Sequence, residues 1–282
     1  MELNKYKTAD FFKGFLIHVF LMAITLTCIF PLFWMIRSAL MTKETIFIDQ
    51  SLIPKVIEFG NFPTAWIEGN FGMYFLNSVL YTVTVVAGIV FISSLAAYAF
   101  SRLKFPGKNI FFYMFVLAMM IPLPGSFVPL VVLMNKLHLV NTRMGYILCM
   151  INVGLSVSIL ILKTFFDKIP SDLEDAACID GCGRLGIWWH VALPLAGPAI
   201  AVVVIFNSLN VWNEFILANL LLTDDSLMTL QTGLYKFQGP NLANYPVLMA
   251  GLTISTIPII IIYLFMQKYI IKGLSSGDFT GQ

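Results

Sequence analysis

Six stretches of about 20 mostly apolar residues recur along this 282-residue chain. A helix of that length crosses the hydrocarbon core of a bilayer. The first stretch exceeds the roughly 7 to 15 apolar residues of a signal peptide, so we expect the mature protein to keep it. The pattern predicts an all-α polytopic membrane protein, a single transmembrane domain over residues 1–282 with six transmembrane helices near residues 14–36, 74–99, 110–133, 145–166, 197–222 and 246–267.

The composition excludes most soluble classes. Hydrophobic residues make up 59% of the chain and charged residues 11%, whereas globular proteins carry about 25% charged residues. A soluble enzyme of this size would lack the polar surface to cover its core, so membrane lipid is an expected partner. The net charge of +2 is too small for a nucleic-acid surface, and we expect no nucleic-acid partner.

The cysteines and histidines indicate neither a disulfide framework nor a metal site. Cys28 and Cys149 lie in apolar stretches, and Cys178 and Cys182 lie four residues apart in a polar segment. The three histidines are scattered and complete no ligand cluster. We therefore expect no metal, and the cysteines are interpreted as small apolar side chains.

Basic residues in the connecting segments predict the orientation, because Lys and Arg accumulate on the cytoplasmic side. With the N-terminus in the cytoplasm, 11 of the 17 basic residues fall in inner segments and six in outer segments. We therefore expect both termini to be cytoplasmic.

The third stretch contains an irregular run, IPLPGSFVP, from Ile121 to Pro129. Three prolines and a glycine remove backbone donors and bend a helix. Two interpretations remain open: a kink that shapes packing, or a break that lines a cavity.

The longest inner segment, Asp167 to Pro194, has strong helix signals. Ser171 and Glu174 stand in the S-x-x-E relation of a capping box, so a helix should begin at Ser171. Gly181 and Gly183 should end this helix. A second short helix should run from about residue 184 toward residue 193, where Pro194 stops it.

Such a pair of short helices, joined by a glycine-containing turn, has two possible uses. Small side chains on one face would let the first helix sit closely in a groove of a partner protein. Alternatively, Trp188 and Trp189 would suit a segment lying on the lipid surface.

This segment resembles the EAA loop in the permease subunits of ABC importers, whose pattern is E-A-A, three residues, G, nine residues, I, one residue, L-P. The matching residues are Asp175-Ala176-Ala177, Gly181, Val191 and Leu193-Pro194, with every spacing kept. Asp replaces the pattern's Glu and Val replaces its Ile. The extended form P-x-x-L-E-x-A-A-x-I-D-G, from Pro170 to Gly181, is similar to the carbohydrate-uptake, maltose-type branch.

Further motifs resemble the same branch, so the likeness runs from the first span to the C-terminus. They are AYAFSRLKFPGK (97–108), LHLVNT (137–142), FNSLNVWNEFILA (206–218) and YIIKGLSSGDFTG (269–281).

The resemblance implies a multi-pass transport subunit of the cytoplasmic (inner) membrane of a bacterium or archaeon, and not an enzyme. In that family a permease pairs with a second homologous permease, two ATP-binding-cassette subunits hold ATP and Mg, and an extracytoplasmic solute-binding protein delivers the sugar. The chain has no P-loop of its own, which fits this division of labour. The resemblance also implies that this chain binds no cofactor. The implied ATPase-coupling residues are Leu173, Glu174, Asp175, Ala176, Ala177, Ile179, Asp180, Gly181 and Arg184.

Polar residues in the fifth stretch are candidates for the substrate pathway. Asn210, Asn213 and Glu214 are spaced three and four apart, so they share one face of a helix. An acid inside a span almost always faces a cavity or a partner. Amides beside Trp212 suit a sugar, whose ring stacks on aromatic side chains. The alternative is that these groups join helices or bind the companion permease.

The substrate expectation is a neutral oligosaccharide or disaccharide, because no basic cluster lies along the predicted pathway. Two alternatives stay open: a permease of the same family for glycerol-phosphate or another polyol, and an ion-coupled secondary carrier.

Overall fold

The computed structural model describes residues 2–121, 123–236 and 244–275, and this part of the chain is helical without a β-strand. The α-helices are α1 Glu2–Ala39, α2 Asn61–Ile67, α3 Phe71–Arg102, α4 Lys108–Ala118, α5 Leu123–Lys136, α6 Arg143–Phe166, α7 Ser171–Ile179, α8 Arg184–Ile187, α9 Leu193–Leu195, α10 Gly197–Asn213, α11 Ile216–Leu221, α12 Leu230–Lys236 and α13 Tyr245–Ser275. A π-helical turn covers Trp188–Ala192, and a 3-10 turn covers Asp225–Leu227. The all-α expectation is confirmed.

Four helical segments in the described residues are long and apolar enough to cross a membrane: Lys13–Ala39, Phe71–Arg102, Arg143–Phe166 and Tyr245–Phe265. A bent pair, Arg184–Leu195 with Gly197–Asn213, forms a fifth if it is counted as one span. The third predicted span is divided between the shorter helices α4 and α5. The count of six spans stays a prediction.

The chain forms two compact units. Among the described residues, the first lies within 1–71 and 236–256, and the second lies within 72–235 and 257–282. In the first unit Arg37 holds the loop after α1, because its Nε donates to Ser51 O and its Nη2 to Asp49 O, both at 2.6 Å. The buried Asn61 amide donates to backbone carbonyl oxygens at the end of α1, including that of Ala39 at 2.8 Å. Side-chain donors therefore order this irregular segment.

In the second unit a small residue lets three helices approach closely. A Cβ atom on Gly154 of α6 would collide with Ile89 of α3 and with the Asn207 amide oxygen of α10. Asn207 is buried and donates to Ser158 Oγ at 2.9 Å and to Val203 O at 2.8 Å. Asn207 therefore joins α6 and α10 in the packed interior of this unit.

Two predicted spans differ from continuous helices. In the third, α4 ends at Ala118 and α5 begins at Leu123, while Pro122 lies outside the described residues. In the fifth, α10 ends at Asn213, and Glu214 takes an extended backbone conformation before α11 begins. No proline or glycine lies between Asn213 and Ile216 to mark this second break.

The helical segment Arg184–Leu195 ends in a bend of 78° before Gly197–Asn213. It begins at Arg184 as predicted but continues past Pro194, which lies in its last turn. A proline ring clashes with the carbonyl four residues earlier in a regular helix. Here the wider π turn Trp188–Ala192 directly precedes α9, so the segment passes through Pro194 and bends at Ala196.

Candidate functional site

The segment 167–194, here called the EAA-like loop, begins with α7 at the predicted residue, Ser171. The predicted capping box is absent, because Pro170 occupies the N-cap position and no side chain caps the helix. Glu174 does not reach back to the backbone. Its Oε1 lies 2.9 Å from Nε of Arg102, at the end of α3. A charged partner has replaced the local cap.

The end of α7 follows the prediction for Gly181. Gly181 has a φ of +82°, a left-handed conformation that favours glycine. Its N–H donates to Cys178 O at 3.0 Å, and the Cys182 N–H donates to Ala177 O at 2.9 Å. These two bonds form a Schellman motif, which satisfies the last carbonyls of α7 and fixes the direction of the chain that follows.

The predicted coupling residues divide into two groups. Seven are exposed on α7, in the turn after it and at the start of α8: Leu173, Asp175, Ala176, Ile179, Asp180, Gly181 and Arg184. Of the two large apolar side chains among them, Ile179 is 87% exposed and Leu173 is 44% exposed. The other two, Glu174 and Ala177, are buried. One face of the loop, with both polar and apolar side chains, therefore points outward, and the opposite face packs on the rest of the second unit.

The second half of the loop is also two-sided. Ile187 and Trp188 are buried, and the Trp188 ring stands edge-on to Phe91 with ring centroids 6.0 Å apart. Leu185 and Trp189 are exposed. Sequence reasoning did not include the exposed Leu185 among the candidates, although it lies directly after Arg184 in the sequence. One tryptophan of the pair is thus a core residue and not a lipid anchor.

At the start of the loop, Asp167 accepts a hydrogen bond from Ser101 Oγ at 2.6 Å and pairs with Lys163 Nζ at 2.7 Å. Burial acts to raise the pKa of Asp167, but the hydrogen bonds from Lys163 and Ser101 outweigh it and hold the pKa below its ordinary value. The carboxylate is therefore charged at neutral pH, and it ties the end of α6 to the end of α3.

A cavity of about 420 Å³ lies in the second unit, between α4, α5, α6 and α10. Its apolar lining is Ala118, Met119, Ile121, Phe127, Leu130, Met150, Val153, Val157, Phe206 and Leu217, and its polar lining is Asn152, Ser156, Asn210 and Glu214. Residues at the break between α4 and α5 thus line a cavity, which favours the second interpretation of the proline-rich run.

Asn152 and Ser156 were missed by sequence reasoning. They lie four apart on α6, so they share one helix face, and both interrupt an apolar stretch. That spacing is a signal of a polar stripe, of the same kind that singled out Asn210 and Glu214.

The Glu214 carboxylate accepts three hydrogen bonds. Its Oε1 accepts from the Leu217 N–H at 2.6 Å, and its Oε2 accepts from the Ala218 N–H at 2.8 Å and from the Tyr146 hydroxyl at 3.5 Å. A carboxylate at this position caps the first turn of α11, where backbone N–H groups lack helical partners. Glu214 therefore borders the cavity and stabilises the helix break at the same time.

The other two predicted pathway residues point elsewhere. Asn213 is exposed, and its amide donates to Leu209 O within its own helix at 2.9 Å. Trp212 is buried, and its ring stands edge-on to Phe75 with ring centroids 5.6 Å apart. The structure thus brings Asn210 and Glu214 to the cavity but leaves Trp212 and Asn213 outside its lining.

The LHLVNT motif connects two loops through Asn141, which has a left-handed φ of +57°. Its Oδ1 accepts from the Thr223 N–H at 3.0 Å and the Asp224 N–H at 2.8 Å. Its own N–H donates to Leu221 O at 2.7 Å. One short amide therefore fixes the segment after α11. The motif YIIKGLSSGDFTG extends into residues 276–281, which lie outside the described residues.

No group of three or more His, Cys, Asp or Glu side chains that could hold a metal ion occurs among the described residues.

Comparison with known proteins identifies several close relatives. The chain is 36% identical over 263 residues to the probable ABC transporter permease protein YurM of Bacillus subtilis, covering 93% of this chain and 87% of the relative. It is 34% identical over 272 residues to the trehalose/maltose transport system permease protein MalG of Thermococcus litoralis, covering 95% and 96%.

A solved structure shares the fold. It is a chain of a bacterial ABC transporter involved in the import of the acidic polysaccharide alginate, with a TM-score of 0.82 and 25% identity, covering 93% of this chain and 97% of that one. The family model described as "Binding-protein-dependent transport system inner membrane component" matches residues 88–276. The chain therefore belongs to this family of ABC-transporter permeases, which are membrane subunits and not enzymes.

Proposed function

We propose that this chain is one transmembrane subunit of an ATP-driven sugar importer. It forms half of the translocation pathway beside a second homologous permease, and it couples ATP hydrolysis by two partner ATPase subunits to inward transport. The family match and the sugar-transport relatives support this assignment. An extracytoplasmic solute-binding protein delivers the substrate, as the family description implies.

The observation that carries the proposal is the two-sided EAA-like loop. Asp175 and Ile179 lie on an exposed surface together with the αL turn at Gly181, while Glu174 is turned inward. A capped short helix with a fixed exit direction can insert into a groove of a partner protein. The exposed Ile179 supplies apolar contact there, and Asp175 and Asp180 supply charge for basic residues of the ATPase.

The bend before α10 suits this role. With α10 crossing the membrane, the 78° bend places Arg184–Leu195 nearly parallel to the membrane surface. The loop then projects into the cytoplasm with the ATPase below it. This orientation accords with two cytoplasmic termini, six spans and one permease domain.

The cavity supports a neutral substrate. Its volume of about 420 Å³ falls within the range of small-molecule sites, which is roughly 300 to 1,000 Å³. The described lining contains the amides Asn152 and Asn210 and no cationic side chain, while Glu214 contributes an acid. A phosphorylated or acidic sugar would meet this carboxylate without a counter-charge. A neutral disaccharide or oligosaccharide, which needs amide hydrogen bonds, fits better.

The test uses the fully assembled transporter in proteoliposomes. Gly181→Trp should abolish sugar uptake and ATPase assembly while the protein still inserts, because the indole occupies the partner's groove. Gly181→Ala separates the backbone effect from bulk, since φ is positive there. Gly183→Ala is the matched control, because its backbone is extended and a Cβ meets nothing within 4 Å. Wild-type uptake by Gly181→Trp with its ATPase bound would overturn the docking role.

A further inference from the structure

The motif AYAFSRLKFPGK, residues 97–108, has no part in the docking surface or the cavity, yet its arginine connects three segments. Arg102 Nη2 donates to Phe166 O at 2.7 Å and also to Ile169 O. Its Nε lies 2.9 Å from Glu174 Oε1. One guanidinium at the end of α3 therefore holds the C-terminal end of α6, the segment that follows it, and the middle of α7.

The chemistry of the pair suits a mechanical link. Glu174 is 7% exposed, and breaking a buried ion pair leaves an uncompensated charge away from water. The Arg102 guanidinium donates from Nη2 to two carbonyls, and its Nε contacts the Glu174 carboxylate as an ion pair without a hydrogen bond. A lysine ammonium lacks the planar spread of nitrogens that makes these contacts at once. A cation at the last carbonyls of α6 is also favoured by the helix dipole.

A second set of contacts from the same motif stabilises the arrangement. Ser101 Oγ donates to Asp167, and Lys108 Nζ donates to Ser101 O at 3.1 Å. Asp167 pairs in turn with Lys163, whose ammonium lies over the Phe112 ring of α4. The base of the EAA-like loop is thus attached to three membrane helices by charged groups.

We propose that Arg102 and Glu174 form a latch that makes α7 move together with α3 and α6, so that a displacement of α7 by the ATPase reaches the membrane helices. Both are positioning residues: Glu174 faces inward, and its exposed neighbour Asp175 makes the partner contact. The inference rests on the proposed function, because the latch can transmit a displacement of α7 only if α7 docks on an ATPase.

The experiment compares two adjacent acids in the assembled transporter. Glu174→Gln and Asp175→Asn each replace a carboxylate with an amide of the same shape. For each variant, the amount of co-purified ATPase and the number of ATP molecules hydrolysed per sugar imported are measured. Glu174→Gln should keep ATPase assembly within about twofold of wild type and raise the ATP cost per sugar at least fivefold. Asp175→Asn should lower assembly and leave the cost per sugar of the assembled fraction unchanged.

Arg102→Lys supplies a second variant that keeps the charge but loses the planar fork. It should also raise the ATP cost per sugar, and the double variant Arg102→Lys/Glu174→Gln should be no worse than the more severe single variant. Effects that multiply would show two independent contacts and overturn the latch. If Glu174→Gln inserts poorly, the ATP cost per sugar measured for Arg102→Lys decides whether the latch exists.

The outcomes separate the latch from the function on which it rests. A wild-type ATP cost in Glu174→Gln and Arg102→Lys, with Asp175→Asn and Gly181→Trp defective, would overturn the latch and leave the docking role intact. Normal assembly and uptake in Asp175→Asn and Gly181→Trp would overturn the docking role itself.

Discussion

Two glutamates of the second unit, the buried Glu174 and the half-buried Glu214, are stabilised in opposite ways. Glu174 is paired with a cation, Arg102, that lies 72 positions earlier in the chain, and the pair links α7 to α3. Glu214 accepts hydrogen bonds from neutral donors, two of them backbone N–H groups three and four positions later. One carboxylate connects distant segments, whereas the other shapes the chain beside it.

The difference separates long-range coupling from local shape. Loss of Glu174 or Arg102 leaves a charge without its partner and disconnects two helices. Loss of Glu214 leaves neutral N–H groups unpaired and weakens one helix start. The first change should affect how α7 moves with its unit, and the second should affect the helix break beside the cavity.

The largest expected effect is that of Arg102→Ala. It removes the cation beside Glu174 and two carbonyl bonds, and breaking a buried pair costs about 3 to 5 kcal/mol. Hydrogen exchange should show opening of residues 167–183 in the purified protein. Lys104→Ala, which truncates an exposed side chain two positions after Arg102, is the control. Equal exchange in the two variants would contradict the long-range role of the pair.

Glu214→Ala should have the next largest effect. It leaves the Leu217 and Ala218 N–H groups without their acceptor, at a cost of roughly 1 to 3 kcal/mol for each buried unsatisfied group. The thermal unfolding temperature should fall, and Glu214→Gln, which keeps an accepting oxygen, should lower it less. Asn213→Ala loses one bond within its own helix and should be nearly neutral. A Gln variant as damaging as the Ala variant would show that charge, and not capping, is what matters.

Asn141→Ala sharpens the comparison because Asn141 is neutral but connects segments 82 positions apart. The expected cost is about 1 to 2 kcal/mol from two lost hydrogen bonds, plus strain at a positive φ. Amide exchange at Thr223 and Asp224 should accelerate. Asn141→Gly relieves the strain but still lacks the two hydrogen bonds, so it should retain most of the increase in amide exchange. Wild-type exchange in the glycine variant would show that the Asn141 amide does not link the two segments.

The smallest effect is expected at Asp49, a half-buried acid in the first unit. Hydrogen bonds from the Ser51 hydroxyl and the Ser51 N–H lower its pKa to about 2 from 3.8. A depressed pKa contributes stability above the unfolded value, and this is lost as the pH falls through about 2. Exchange at the Ser51 amide, corrected for its intrinsic rate, should therefore stay constant down to about pH 4 and accelerate between pH 4 and 2. Asp49→Asn should show no such transition; a transition that persists in it would assign the effect to another group.

The sequence predicted the features that depend on local signals. The start of α7 at Ser171 is observed, although the capping box that predicted it is absent. The left-handed Gly181 lies two residues after the last residue of α7, Ile179, as a glycine that ends a helix should. The break in the third span follows from its prolines. The all-α fold follows from the long apolar stretches.

The features that sequence reasoning missed depend on contacts between distant segments. The S-x-x-E spacing predicted a capping box, but Arg102 supplies Glu174 with a stronger partner than a backbone N–H. The break at Glu214 has no proline or glycine to mark it, because an acid and the following backbone create it. The placement of Asn207 and Trp212 in the packed interior, and of Asn210 at the cavity, depends on which face of α10 meets α6.

Transport driven by ATP is the central claim, and reconstitution tests it most directly. The chain is placed in proteoliposomes with its companion permease, ATPase subunits and sugar-loaded binding protein, and labelled sugar uptake is measured. Uptake should require ATP and should persist when an ionophore collapses the proton gradient. Uptake that continues without ATP and stops when the gradient collapses would contradict the account and identify an ion-coupled carrier.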